Sequence, residues 1–157
     1  IGVTAISPTS PIASCAPVLM GWFAVSPFFS WPMLWLCILI SIWLPIHLWS
    51  VMVTHREDYI GAGITFFPMS RPTTSVVRLL VVLSLVLYVS SLAFYFIADF
   101  HWLYLVVANL LGGAVIYTSL RLLLSGERRV SWRLYRLSAF PYLGLLFLAM
   151  TLDVVLF

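Results

Sequence analysis

Apolar residues follow one another along most of this chain, with no strand-like alternation and hardly any helical stripe. Long apolar runs cut by short polar stretches are the pattern of helices buried in lipid or in each other. A spanning helix needs about 20 mostly apolar residues. Five segments approach that length: 11–26, 31–53, 76–98, 102–124 and 134–156. The first is short and interrupted by Pro11, Pro17 and Pro27. No internal repeat and no low-complexity linker divides the chain, so residues 1–157 read as a single transmembrane domain. The expected fold class is all-α, a polytopic membrane bundle of about five transmembrane helices.

Composition sharpens this picture. The chain is 63% apolar and 8% charged, against about 25% charged in a soluble domain. The bilayer is therefore an expected partner. All eight basic residues are arginine, and they fall in two groups. Arg56, Arg71 and Arg78 lie between the second and third segments. Arg121, Arg128, Arg129, Arg133 and Arg136 lie between the fourth and fifth. The Asp99-Phe100-His101 connection has none. The positive-inside rule puts both arginine loops on the cytoplasmic side and the C-terminal end, with Asp153, outside. A net charge of +3, so clustered, does not suggest a nucleic-acid partner. Cys15 and Cys37 sit in apolar stretches and read as small hydrophobes. Residue 1 is Ile, and no charged n-region with a cleavage site follows, so no signal peptide is expected.

In so apolar a chain, polar clusters are the candidates for chemistry. The densest is His55-Arg56-Glu57-Asp58-Tyr59-Ile60-Gly61-Ala62-Gly63, followed by Phe66-Phe67-Pro68 and Arg71. It holds two of the five acidic residues side by side. Counted at about 100° per residue, His47, Ser50, Thr54 and Asp58 form one stripe, with Asp58 about 20° from His47 and about 16 Å further along the axis. The stripe reads either as a polar track to the membrane edge or as ordinary structure. In the second reading Ser and Thr bond back to their own helix and His47 bonds a neighbouring span. Adjacent carboxylates repel, and a cation beside them relieves this. Hard oxygen donors at a wet membrane edge suit Mg²⁺, which takes one or two carboxylates plus phosphate oxygens. Glu57 and Asp58 are thus the expected metal ligands. Gly61 and Gly63 could let a ligand approach the backbone closely. Phe66-Phe67-Pro68 reads as a re-entrant lid or as an aromatic belt. Arg71 and Arg78 read as phosphate-pairing groups or as loop anchors.

These residues resemble a known family. Arg56-Glu57-Asp58-Tyr59, then Ala62-Gly63, Pro68 and Arg71, are similar to the second aspartate-rich motif of the protoheme IX farnesyltransferases (haem O synthases) of the UbiA prenyltransferase superfamily. Trp43 and His47 resemble the family's Trp-Gln-x-Pro-His element. Ala16-Pro17-Val18-Leu19-Met20-Gly21-Trp22 resembles its Pro-Pro-x-x-Gly-Trp helix. Trp132 to Ser138, Tyr142 and Asp153 resemble its last helix. The likeness covers nearly the whole chain, but only the C-terminal half of the nine-helix family fold. Here the proline precedes His47 by two residues, at Pro45, and Glu57 stands where aspartate is usual. The family's first motif, an Asn-x-x-x-Asp-x-x-x-Asp run, is absent, since no Asp or Glu precedes residue 54.

The resemblance implies an intramembrane, Mg²⁺-dependent transfer of a farnesyl group from farnesyl diphosphate to protohaem IX (haem b). It implies Asp58, Glu57 and Arg56 as catalytic, with Asp58 and Glu57 on the metal. It implies His47, Trp43, Tyr59, Arg71 and Arg78 as substrate-binding, and Trp49 and Phe66 as further channel aromatics. It implies a bacterial or archaeal cytoplasmic membrane, or the mitochondrial inner membrane, with the active-site loop on the cytoplasmic or matrix side. The missing first motif leaves three options open: part of a full enzyme, a half needing an N-terminal half or partner membrane protein, or a reduced relative. A non-catalytic membrane subunit on the same half-bundle is the alternative function. A transporter using the His47–Asp58 stripe ranks last, because Ser41 is the only polar side chain between Trp31 and Ile42. No phosphate loop, nucleophile elbow or zinc spacing supports a soluble enzyme.

Overall fold

The computed structural model describes residues 13–64 and 67–156. Its elements are seven helices among these residues: α1 (Ala16–Val25), α2 (Trp31–Thr54), α3 (Arg56–Gly61), α4 (Thr73–Ile97), α5 (Trp102–Ser125), α6 (Arg128–Ser138) and α7 (Phe140–Leu156).

Four segments are long and apolar enough to cross a membrane: α2, α4, α5 and Arg128–Leu156. At about 1.5 Å per residue, the 24 residues of α2 reach about 36 Å, more than the roughly 30 Å hydrocarbon core. Ser30 starts α2 by accepting a hydrogen bond from the Met33 N–H, with Pro32 in the first turn. Gly126 ends α5 in the left-handed conformation, at φ 63°, where a residue without Cβ is at no disadvantage.

One expected span needs correction and another a finer description. Of the expected span 11–26, residues 11 and 12 lie outside the described ones, and the rest contains only the ten-residue helix α1. Pro17 enters its first turn, and the chain turns extended at Ser26 before Pro27. Ten residues reach about 15 Å, half the hydrocarbon thickness. The expected span 134–156 stands as a span, within the crossing segment Arg128–Leu156, but it is not one continuous helix. The backbone departs from helix at Ala139, at ψ −132°, so its first turn belongs to α6 and the rest to α7.

α2, α4 and α5 form the centre, with α6 against α2 and α5, and α7 against α5 and α6. Small residues let α4 and α5 close up. Ser84 and Ser119 share a buried hydrogen bond of 2.8 Å, and the Tyr104 hydroxyl donates to the Ser91 carbonyl at 3.0 Å. Gly112 lies under the ring of Tyr88. Large apolar side chains such as Val89, Phe96, Leu110 and Val154 point outward, as lipid-facing positions do.

One end of the bundle gathers the end of α2, the start of α4, the end of α5 and the start of α6. All eight arginines lie at that end or on the helix leading from it. At the other end, buried Asp153 of α7 accepts hydrogen bonds from the backbone N–H groups of His101 and Tyr104. It thereby caps α5 from a different helix, holding two of the donors that every helix start leaves unpaired.

Candidate active site

The arginine-bearing end is also where the acidic doublet sits. α2 stops at His55, whose backbone is non-helical at φ −106° and ψ 26°. The six-residue α3 follows, with Glu57 and Asp58 in its first turn, where carboxylates oppose the helix's positive end favourably. Gly63, at φ 76°, closes the turn after α3 by donating its N–H to the Ile60 carbonyl. A Cβ at Gly63 would meet no described atom within 4 Å, so the positive φ of the turn, not close packing, is what calls for glycine here.

Glu57 and Asp58 are exposed toward a cleft of about 200 Å³ where four helix ends meet. Its walls include Thr73 and Val77 of α4, Leu122 of α5, and Glu127, Arg128 and Ser131 around α6. Asp58 Oδ2 lies 3.1 Å from His55 Nδ1 and 4.0 Å from the Arg128 guanidinium. Among the described residues no three His, Cys, Asp or Glu side chains cluster closely enough to enclose a metal by themselves. Two adjacent carboxylates in a wet cleft do fit a Mg²⁺ ion that takes its remaining ligands from water and a phosphate-bearing substrate.

Arg56 is turned to a structural task. Its Nη2 donates to the carbonyls of Met69 and Arg71, at 3.0 and 2.9 Å, and fastens the loop after α3 to the bundle. Its Nη1 is buried with no hydrogen-bond partner among the described residues. Arg71 and Arg78 are exposed and do not line the cleft. The arginine that does line it beside Asp58 is Arg128. Tyr59 is half-buried and borders a groove with His55, Asp58, Ala62 and Ile64.

The stripe on α2 follows the ordinary structural pattern. The Ser50 hydroxyl donates to the His47 carbonyl and the Thr54 hydroxyl to the Ser50 carbonyl, each at 2.8 Å. The break at His55 interrupts the angular count, so the stripe does not run on as one helix face to Asp58. His47 contacts a neighbouring helix: its Nδ1 lies 3.3 Å from the Ser138 hydroxyl, and its ring is sandwiched between Trp43 and Tyr135 at 5.1 and 4.8 Å. The Trp43 indole donates to the Ser138 carbonyl at 2.6 Å. Together with the Ser131 hydroxyl donating to the Ser50 carbonyl at 2.8 Å, these contacts run α6 antiparallel along the last turns of α2. Trp43, His47 and Tyr135 also border an apolar groove of about 400 Å³ with Phe140, Leu143 and Phe147.

Trp49, expected among channel aromatics, is instead buried in the core with its ring edge-on to Phe67, at 4.8 Å. Phe66 lies outside the described residues. Phe67, Pro68 and Met69 turn inward, and Met69 joins the core.

Sequence reasoning missed Arg128 and Glu127 at the cleft. Both lie far along the chain from the doublet. The signal available was a basic start to a helix that carries two arginines in its first turn, a placement with no local electrostatic advantage.

With this geometry in place, the chain is an integral membrane protein built as a helical bundle. A profile of the UbiA prenyltransferase family matches residues 9–150, and the chain belongs to that family. The protoheme IX farnesyltransferase of Desulforudis audaxviator is 32% identical over 138 residues, covering 88% of this chain and 43% of that protein. Protoheme IX farnesyltransferase 1 of Picrophilus torridus is 32% identical over 131 residues, covering 83% of this chain and 44% of that protein. The protoheme IX farnesyltransferase of Gloeobacter violaceus is 35% identical over 142 residues, covering 90% and 46%. The chain thus spans just under half the length of these curated relatives. No solved structure matches it.

Proposed function

We propose that the whole protein is a prenyltransferase that moves the farnesyl group of farnesyl diphosphate onto a vinyl group of protohaem IX, with Mg²⁺ as cofactor. The observation that carries this reading is the Glu57–Asp58 doublet, opening α3 onto a cleft that Arg128 also lines. Its support from outside the chain is similarity to proteins named protoheme IX farnesyltransferase.

Glu57 and Asp58 would hold Mg²⁺ together with diphosphate oxygens. A metal so placed supplies charge neutralisation to the departing diphosphate. Arg128, with its charge already beside Asp58, adds a fixed positive group where the leaving oxygens gather. Arg56 acts as a positioning residue, keeping the loop after α3 closed over the bundle. Arg71 and Arg78 sit further out, where they could draw anionic substrate toward the cleft.

In the reaction the allylic C–O bond breaks and diphosphate leaves with the bonding pair. The allylic carbon bonds to the terminal carbon of the haem vinyl group, the positive charge passes to the vinyl carbon next to the ring, and water adds there with release of a proton to give the hydroxyfarnesyl substituent. The cation needs dry, polarisable walls until it reacts. The groove of Trp43, His47, Tyr135 and Phe147 gives the prenyl chain such walls, and aromatic faces stabilise a cation in contact. Tyr59 borders the doublet on its other side. The cleft end would face the cytoplasm or the mitochondrial matrix, following the arginines.

The test is the haem content of cells carrying and lacking the gene, with haems extracted and resolved by mass. Gain of a hydroxyfarnesyl group with the gene supports the reading, and identical haem profiles contradict it.

A further inference from the structure

The structure carries a second polar site beside the doublet. A cleft of about 600 Å³ is lined by Thr54, His55, Trp132 and the arginines 128, 129, 133 and 136. Its lining contains no carboxylate. Positions 129, 132, 133 and 136 are spaced three and four apart, so they share one face of α6. The opposite face is anchored in the bundle by Val130, Ser131, Leu134 and Ser138.

Such a face is electrostatically unfavourable on its own. Like charges at these spacings repel, and Arg128 and Arg129 occupy the first turn of α6, against the helix's positive end. Arg128 has Asp58 beside it. Arg129, Arg133 and Arg136 make no ion pair with a carboxylate among the described residues. An anion in the cleft removes both penalties, and guanidinium forks match carboxylate oxygens in bidentate fashion. The cavity is far larger than an inorganic anion needs. It includes the half-exposed indole of Trp132, which is edge-on to His55 at 6.0 Å.

We propose that Arg129, Arg133 and Arg136 form the subsite for the carboxylates of the prenyl acceptor, the two propionates if the acceptor is protohaem IX. This rests on the function proposed above. The two clefts share Thr54, His55 and Arg128 as a common wall. Diphosphate belongs on the side with metal-binding carboxylates. The side with arginines alone takes a ligand that brings negative charge without a metal. Trp132 gives the flat, apolar body of that ligand a surface to lie on, and the common wall sets the two substrates side by side.

The experiment titrates the full-length protein, in nanodiscs of phosphatidylcholine, with protohaem and separately with its dimethyl ester, following the haem absorbance band. The wild type should bind protohaem about tenfold or more tightly than the ester. Arg133→Ala and Arg136→Ala should bring protohaem down toward the ester while leaving ester binding unchanged, and Arg133→Lys should recover part of the loss. The wild-type comparison decides even if a variant fails to insert: equal affinity for acid and ester overturns the proposal. So does a loss in the variants that appears in the KM for farnesyl diphosphate alone, which would assign the arginines to the donor. Wild-type affinity for protohaem in the variants, with activity that now depends on added phosphatidylglycerol, would assign them to lipid headgroups and also overturn it. If the wild type prefers the free acid yet forms no farnesylated haem, the carboxylate subsite stands and the proposed reaction falls.

Discussion

Asp58 at the start of α3 and Arg128 at the start of α6 face each other with 4.0 Å between carboxylate and guanidinium, and both are more than half exposed. So exposed a pair contributes little to folding, typically under about 1 kcal/mol. Its place at the mouth of a cleft is better explained by function. Arg128→Ala should therefore leave thermal stability within about 0.5 kcal/mol of wild type, while raising the KM for farnesyl diphosphate. Melting curves in detergent together with steady-state kinetics check both halves of the claim.

The doublet itself separates charge from shape. Asp58→Asn in the full-length protein should lower turnover on the order of a hundredfold or more, with membrane insertion unchanged. Glu57→Asp should be milder than Glu57→Gln if ligand charge is what counts. Equal rates for those two variants would make Glu57 a structural residue.

Asp153 offers a test of fold without chemistry. Its carboxylate holds the N–H groups of His101 and Tyr104 at the far end of the bundle from the cleft. Asp153→Ala leaves those donors unpaired, at a cost of about 1–3 kcal/mol. Thermal unfolding should show the loss, and the activity per folded molecule should stay near wild type.

Adjacent glycines in α5 should respond differently. A Cβ at Gly112 would meet the Tyr88 ring, whereas one at Gly113 meets nothing within 4 Å. Gly112→Leu should push α4 and α5 apart and destabilise by about 1–3 kcal/mol. Gly113→Ala should be neutral or slightly stabilising, since alanine favours helix over glycine. Paired melting curves of the two variants are the measurement.

Much of this architecture is legible in the chain because hydropathy is a local quantity. The runs that became α2, α4 and α5 stand out, and the arginines report which helix ends lie together. The breaks at Ala139 and His55 stand out less. Neither residue is itself a proline or glycine; the break at Ala139 has its cause two residues on, where Pro141 has no N–H for the carbonyl of Leu137 and opens the next helix instead, while nothing comparable lies beside His55. α6 turns along α2 through Trp43, His47 and Ser138, contacts between residues distant in sequence. The same distance hid Arg128, the partner of Asp58. It also hid the capping role of Asp153, which was visible only as a lone carboxylate in an oily helix. The doublet was legible as a cluster, but the task of Arg56 was not, because its acceptors are backbone carbonyls of a later loop.

The central claim is that Glu57 and Asp58 bind diphosphate through a divalent cation. Calorimetric titration of the full-length wild type and Asp58→Asn with inorganic pyrophosphate, with and without Mg²⁺, tests it most directly. The account predicts binding in the wild type that needs Mg²⁺ and is lost in Asp58→Asn. Pyrophosphate binding of equal strength in both proteins, or binding indifferent to Mg²⁺, would contradict it.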